Sequence, residues 1–267
     1  MRTVKNSRTI ILALALCLAG VSQLEAQTPP WVFGIGTGLA RMSSEGTQGF
    51  NTNAVGPVEA PFDLSPDDFK DLMESGFGVA TFLTNGTWMI KASVGQLKLG
   101  GDGVGTLQDG RQFSASAGFD ITVAEASVGY TLYRSPANKF AFGSHVGALY
   151  TKHELSLDVS VADAGGPSNL SGATEESWTD FLVGTSFDIS LAPKLGWGTV
   201  LDVGFGGSNG SFKAASALSW QVRPHIALSP NVSFSTTDFE NGTKGDADWY
   251  LYDADDTTVG LAVMFIF

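Results

Sequence analysis

Asp255-Asp256-Thr257-Thr258-Val259-Gly260-Leu261-Ala262-Val263-Met264-Phe265-Ile266-Phe267 is the stretch whose reading decides the fold. Successive side chains of a β-strand point to opposite faces. From Val259 onward, one face collects Val259, Leu261, Val263, Phe265 and Phe267, while the other opens with Thr258, Gly260 and Ala262. A strand so apolar on one face, and ending on an aromatic, needs an apolar medium against that face. A bilayer supplies it, provided every backbone group is paired within a closed barrel.

A final Phe with apolar residues two, four, six and eight positions before it resembles the C-terminal signal of bacterial outer-membrane β-barrels. In pattern, the resemblance to small outer-membrane barrel proteins extends over residues 27–267. It implies an all-β, closed, antiparallel, up-and-down barrel in the outer membrane. It also implies recognition of the last strand by the barrel-assembly machinery, and contact with outer-membrane lipid and lipopolysaccharide.

The opposite end reads as a secretory signal over residues 1–26. Arg2, Lys5 and Arg8 precede the apolar run Ile10–Ala19, and Leu24-Glu25-Ala26 offers a cleavage site before Gln27. That run is too short to span a bilayer as a helix. Cys17 is the single cysteine, and Leu16 before it does not suit lipidation. Loss of the signal leaves no thiol for a disulfide, a metal site or a nucleophile. The loss of Arg2, Lys5, Arg8 and Glu25 also takes the formal charge from −12 to −14. Such acidity argues against nucleic-acid partners. No run of about eighteen apolar residues exists, which excludes a helical membrane protein.

Period-two alternation predicts strands at 31–41, 76–84, 87–99, 112–133, 139–157, 178–191, 194–205, 211–223 and 225–237, with a tenth ending at Phe267. Ten is the expectation and eight the alternative. Asn85-Gly86 is a strong hairpin signal. Short turns there, at Ser135–Asn138, at Ala192-Pro193 and at Arg223-Pro224 alternate with the connections 42–75, 100–111, 158–177, 206–210 and 238–254. Short periplasmic turns and longer external loops are the membrane-barrel pattern. Within 112–133 the apolar phase slips from Phe113, Phe119, Ile121 and Val123 to Val128, Tyr130 and Leu132. A β-bulge near Ala124-Glu125 is the economical explanation. An even strand count predicts that the last strand pairs with the first.

The apolar faces are expected to meet lipid. Trp31, Trp88, Phe140, Trp178, Trp197, Trp220 and Phe267 are candidates for interfacial girdles. The opposite faces carry Lys91, Asp120, His145, Asp180, Asp188, Asp202, Lys213, Gln221 and Arg223, candidates for a polar lumen packed by charge pairs. The glycines of strand one would leave room there for long Lys and Arg side chains. In a soluble β-sandwich the apolar faces would instead turn inward, and periodicity does not separate the two.

In the first connection Ser65-Pro66-Asp67-Asp68 reads as a helix start, with Phe69, Leu72 and Met73 on one face. A short helix over the barrel mouth follows. Asp246, Asp248, Asp253, Asp255 and Asp256 make the last connection acidic, without EF-hand spacing. Divalent cations bridging it to lipopolysaccharide are the expected partners there, with no cofactor and no specific metal site.

His145, His153 and His225 are the only histidines. His153, near Glu154, Ser156 and Asp158, is the one credible catalytic base, but its neighbours alternate faces. The expectation is therefore a non-enzymatic barrel with a structural, adhesion or envelope-integrity role. A narrow channel for small or hydrophobic solutes is the alternative.

Overall fold

The computed structural model describes residues 30–52, 56–106, 111–162 and 168–267. The expected signal peptide, 1–26, lies outside them. In chain order the elements are β1 (Val32–Thr52), β2 (Gly56–Leu64), α1 (Pro66–Leu72), β3 (Met73–Thr84), β4 (Trp88–Thr106), β5 (Gln112–Arg134), β6 (Phe140–Val161), β7 (Ser168–Ala192), β8 (Leu195–Phe205), β9 (Gly210–Arg223), β10 (Ile226–Asn241) and β11 (Tyr250–Ile266).

Consecutive strands from β3 to β11 pair antiparallel, and β11 returns to β1. The closing seam runs from Gly34 opposite Ile266 to Phe50 opposite Tyr250. Phe33 N–H donates to the Phe267 carbonyl at 3.1 Å, and Phe267 N–H donates back at 2.8 Å. Their rings stack with centroids 6.1 Å apart. β1 is long enough to serve two partners: Val32–Thr37 pairs with β3, and Ser44–Thr52 with β2. The ring is therefore ten-stranded at its lower level, and β2 is an eleventh strand in the wall above. This closed pairing excludes both a two-sheet sandwich and an eight-stranded ring.

Two expectations about the strands need correction. Most of 42–75, 100–111, 158–177 and 238–254 is strand where described, so the barrel wall continues where loops were expected. A crossing needs about 9–11 residues, whereas β5, β6 and β7 hold 23, 22 and 25. Nor does β5 bulge at Ala124-Glu125. Those residues oppose Val94 and Ser93 on one side, and Tyr150 and Leu149 on the other, without a break. The apolar phase changes because the surroundings change, as the outer surface shows.

That surface has two levels. On β6, Val146 and Tyr150 lie exposed among the outward residues, and the next outward positions are Lys152 and Glu154. On β11 the outward series runs Phe267, Phe265, Val263, Leu261, Val259 and then Thr257, Asp255, Asp253. Below this switch the exposed apolar belt is a surface that lipid covers. Trp31, Trp88, Trp197, Trp220 and Phe267 are exposed toward its periplasmic end. Above the switch the outside is ionic: Lys98 pairs with Asp120 at 2.5 Å, and Lys152 with Glu154 at 2.5 Å and Glu175 at 3.1 Å. Asp120 therefore faces outward above the belt, which corrects its assignment to the lumen.

Local chemistry sets the connections. Asn85 Oδ1 accepts from Thr87 N–H at 3.0 Å and Trp88 N–H at 2.7 Å, and Gly86 takes φ +81°. The helix begins as its residues predict. Ser65 Oγ accepts from Asp68 N–H at 3.3 Å, and Asp68 Oδ2 accepts from Ser65 N–H at 2.9 Å, a capping box. Phe69 is buried beneath it, while Met73 starts β3 and is exposed.

Candidate functional site

The interior inverts with the exterior. At belt level it is polar. Lys91, His145 and Asp188 line a cavity of about 30 Å³ together with Ser127 and Ser186. His145 Nε2 contacts Asp202 Oδ1, and Asp202 is buried with Oδ2 unpartnered. Gly184 makes this approach possible, since a Cβ there would lie on both groups. Lys213 Nζ donates to Glu125 Oε2 at 2.6 Å. Above them, Glu125, Asp202, Lys213 and Asp256 line a cavity of about 200 Å³. Gln221 Nε2 donates to the Pro224 carbonyl at 2.8 Å beside the periplasmic turn, and Arg223 is exposed at that rim. The space over the first-strand glycines is taken by apolar groups, not by Lys or Arg. A Cβ on Gly34 would strike the Phe82 ring, and one on Gly36 the Met264 sulfur.

An aromatic layer packs in the interior above the 200 Å³ cavity. Trp178 stacks on Phe239 with centroids 4.1 Å apart. His153 meets Phe119 at 4.9 Å, Trp178 at 4.9 Å and Tyr252 at 4.5 Å, each ring edge-on. Its Nδ1 is hydrogen-bonded to the Tyr250 hydroxyl at 2.8 Å, and Gln48 Nε2 donates to that hydroxyl at 3.1 Å. His153 sits level with Lys152 and Glu154, above the belt, and is 2% exposed. Burial lowers its pKa from 6.5 to about 3, so the ring is neutral. The same burial pushes the Tyr250 and Tyr252 phenols up.

Strand lengths explain why the layer forms here. β8 stops at Phe205, opposite Phe181, so β7 rises beyond it without a partner on that side. The low β8–β9 turn is tied to β7 by Asp180, which is fully buried. Its carboxylate accepts from Gly207 N–H at 3.1 Å, Ser208 N–H at 2.7 Å and Ser208 Oγ at 2.7 Å. Gly207 lies so flat against Thr179 that a Cβ would meet its backbone at 2.5 Å. The free upper run of β7 then packs across the opening, Trp178 reaching Phe239 of β10 and Tyr252 of β11.

Above this layer the wall encloses an apolar cup of about 550 Å³, its inner surface including Phe50, Leu72, Leu99, Phe119 and Leu155. Several residues of the interior escaped the sequence reading. Trp178, expected in a girdle, is 5% exposed in the interior. Phe119, Tyr250, Tyr252 and Glu125 were missed because a presumed bulge and a presumed loop hid the inward phase of β5 and β11. Of the acidic series, Asp253 and Asp255 point outward, whereas Asp256 lies on the interior face with its carboxyl pushed up by burial. Among the described residues no three acidic, His or Cys side chains converge as a metal would require.

The outer-membrane protease OmpT from Escherichia coli superposes with a TM-score of 0.54 over 92% of this chain and 99% of that one, at 8% identity. The translocator domain of the autotransporter NalP from Neisseria meningitidis gives 0.43 at 12% identity, over 97% and 93%. Ail of Yersinia pestis gives 0.35 at 11% identity, over 89% and 99%. No protein-family model matches the sequence, and no curated protein matches it. At these identities the likeness is one of architecture: the chain has the fold of the outer-membrane β-barrels.

Proposed function

We propose that this chain is an integral outer-membrane protein whose interior is closed to solutes, exported behind a cleaved signal peptide over residues 1–26 and serving a structural or adhesive role at the cell surface. The observation that carries the reading is the aromatic layer of His153, Trp178, Phe239, Tyr250 and Tyr252 across the interior. Beneath it, Lys213–Glu125 and His145–Asp202 pair across the polar level. An interior near this strand number is only slightly wider than its own side chains, and open pores come at about sixteen strands. The reading includes no catalytic step. His153 is buried, its Nδ1 is engaged by a phenol among rings, and among the described residues no carboxylate is hydrogen-bonded to it. Partners on this reading are lipid at the belt, lipopolysaccharide and divalent cations at the ionic outer wall, and the assembly machinery at the seam strand ending in Phe267.

The test is planar-bilayer recording of the refolded chain, after heat-modifiable migration has shown that it is folded. A silent membrane is expected. Discrete conductance steps contradict the closed interior and favour the narrow-channel alternative.

A further inference from the structure

We infer that the external cup is a binding site for a small uncharged apolar molecule. The site goes beyond the closed-interior reading and does not depend on it. Its volume of about 550 Å³ falls within the roughly 300–1,000 Å³ of small-molecule pockets. The decisive feature is charge. The chain carries 27 acidic and 15 basic residues, and the wall at this height is ionic on its outer face. Yet the described residues lining the cup include no Asp, Glu, Lys, Arg or His.

Two of the five neutral polar side chains of the lining, Gln48 and Asn51, are engaged by the wall itself. Gln48 Nε2 donates to the Tyr250 hydroxyl at 3.1 Å. Asn51 Nδ2 donates to the Gly245 carbonyl at 3.3 Å and the Asp246 carbonyl at 2.5 Å. An ion entering the cup would lose hydration without meeting an opposite charge among the described lining residues, whereas an apolar molecule gains by leaving water. Phe119 and Leu99 offer it a rigid surface, because the Phe119 ring is braced from behind by His153 and Leu99 is itself buried. Leu72 brings α1 to the rim: a Cβ on Gly101 would meet Leu72 Cδ2 at 3.1 Å.

The experiment compares two ligands with the same ring system, neutral 1-naphthalenemethanol and anionic 1-naphthoate. Each is titrated calorimetrically into the refolded full chain in detergent micelles, with empty micelles as the blank. The expected result is saturable binding of the alcohol, with the naphthoate roughly tenfold weaker or more. L155D places a carboxylate in the cup and should weaken the alcohol by roughly tenfold or more. L72S, a milder change at the rim, should weaken it less, and V259A on the lipid face should leave it unchanged. Heat-modifiable migration checks the fold of each variant. No saturable binding above the micelle blank overturns the proposal. So does equal affinity for the two ligands, or undiminished binding in folded L155D and L72S. Conductance steps with intact binding contradict the closed interior alone, whereas a silent barrel that binds nothing contradicts the cup alone.

Discussion

The lower and upper levels of this barrel share most of their strands but have opposite polarity. On β11 the outward residues are Val259, Leu261, Val263 and Phe265 below, and Asp253 and Asp255 above. The inward residues are Gly260 and Ala262 below, and Tyr250 and Tyr252 above, both buried. The difference follows from the solvent. Where lipid surrounds the ring the apolar side chains go out, and the interior holds the charge pairs. Where water surrounds it the apolar side chains go in, and the wall behaves like an ordinary soluble fold. One strand thus obeys both rules, and the switch falls between Tyr150 and Lys152 on β6.

Removing the aromatic layer tests the upper level hardest. Trp178→Ala should cost about 3–5 kcal/mol, the range for truncating a buried aromatic, read from urea unfolding of the refolded protein in micelles. A loss below about 1 kcal/mol would mean that the layer is not a packed core. The outer faces give the next contrast. Val263→Arg, at the middle of the outward apolar series, should cost about 2–4 kcal/mol in the bilayer, while Thr257→Arg, six residues higher on the same face, should stay within about 0.5 kcal/mol. Equal costs for the two would erase the boundary.

The third contrast is a pH dependence that arises in the upper interior. His153 has its pKa lowered to about 3 in the folded chain against 6.5 otherwise. Between those values the unfolded chain binds the proton and the folded one does not, so stability falls as pH falls. The slope is about 1.4 kcal/mol per pH unit below pH 6.5. His153→Gln removes the titration, so the difference between the two stability profiles isolates it. Asp256 and the other carboxylates contribute equally to both. Parallel profiles for wild type and His153→Gln from pH 7 to pH 4.5 would contradict the burial of the ring.

The lower level was legible in the sequence because lipid imposes a strict period of two on one face. The seam, the hairpin at Asn85-Gly86 and the outward series to Phe267 all follow from it. α1 was legible for a different reason, since its Ser65–Asp68 cap is local chemistry. The upper level was obscure for a physical reason. Once water replaces lipid, the face that must be apolar changes sides, and the phase of Phe119 and Ile121 reads as a slip in register. Asp120 was assigned inward on that slip, and Trp178 outward as a girdle residue. β2 was hidden in the same way, since Gly56–Leu64 faces water on a strand that never enters the membrane. His145, Asp202 and Lys213 were placed on the interior face by alternation, but Glu125, the partner of Lys213, was lost to the presumed bulge.

The two-level account is tested most directly by site-directed spin labelling along the outward face of β11, with oxygen and a water-soluble nickel complex as competing relaxation agents in a bilayer. Labels at Val259, Leu261, Val263 and Phe265 should relax chiefly with oxygen, and labels at Asp253, Asp255 and Thr257 chiefly with nickel, with the crossover between Thr257 and Val259. Oxygen-dominated relaxation along the whole strand, or nickel-dominated relaxation down to Phe265, would contradict it.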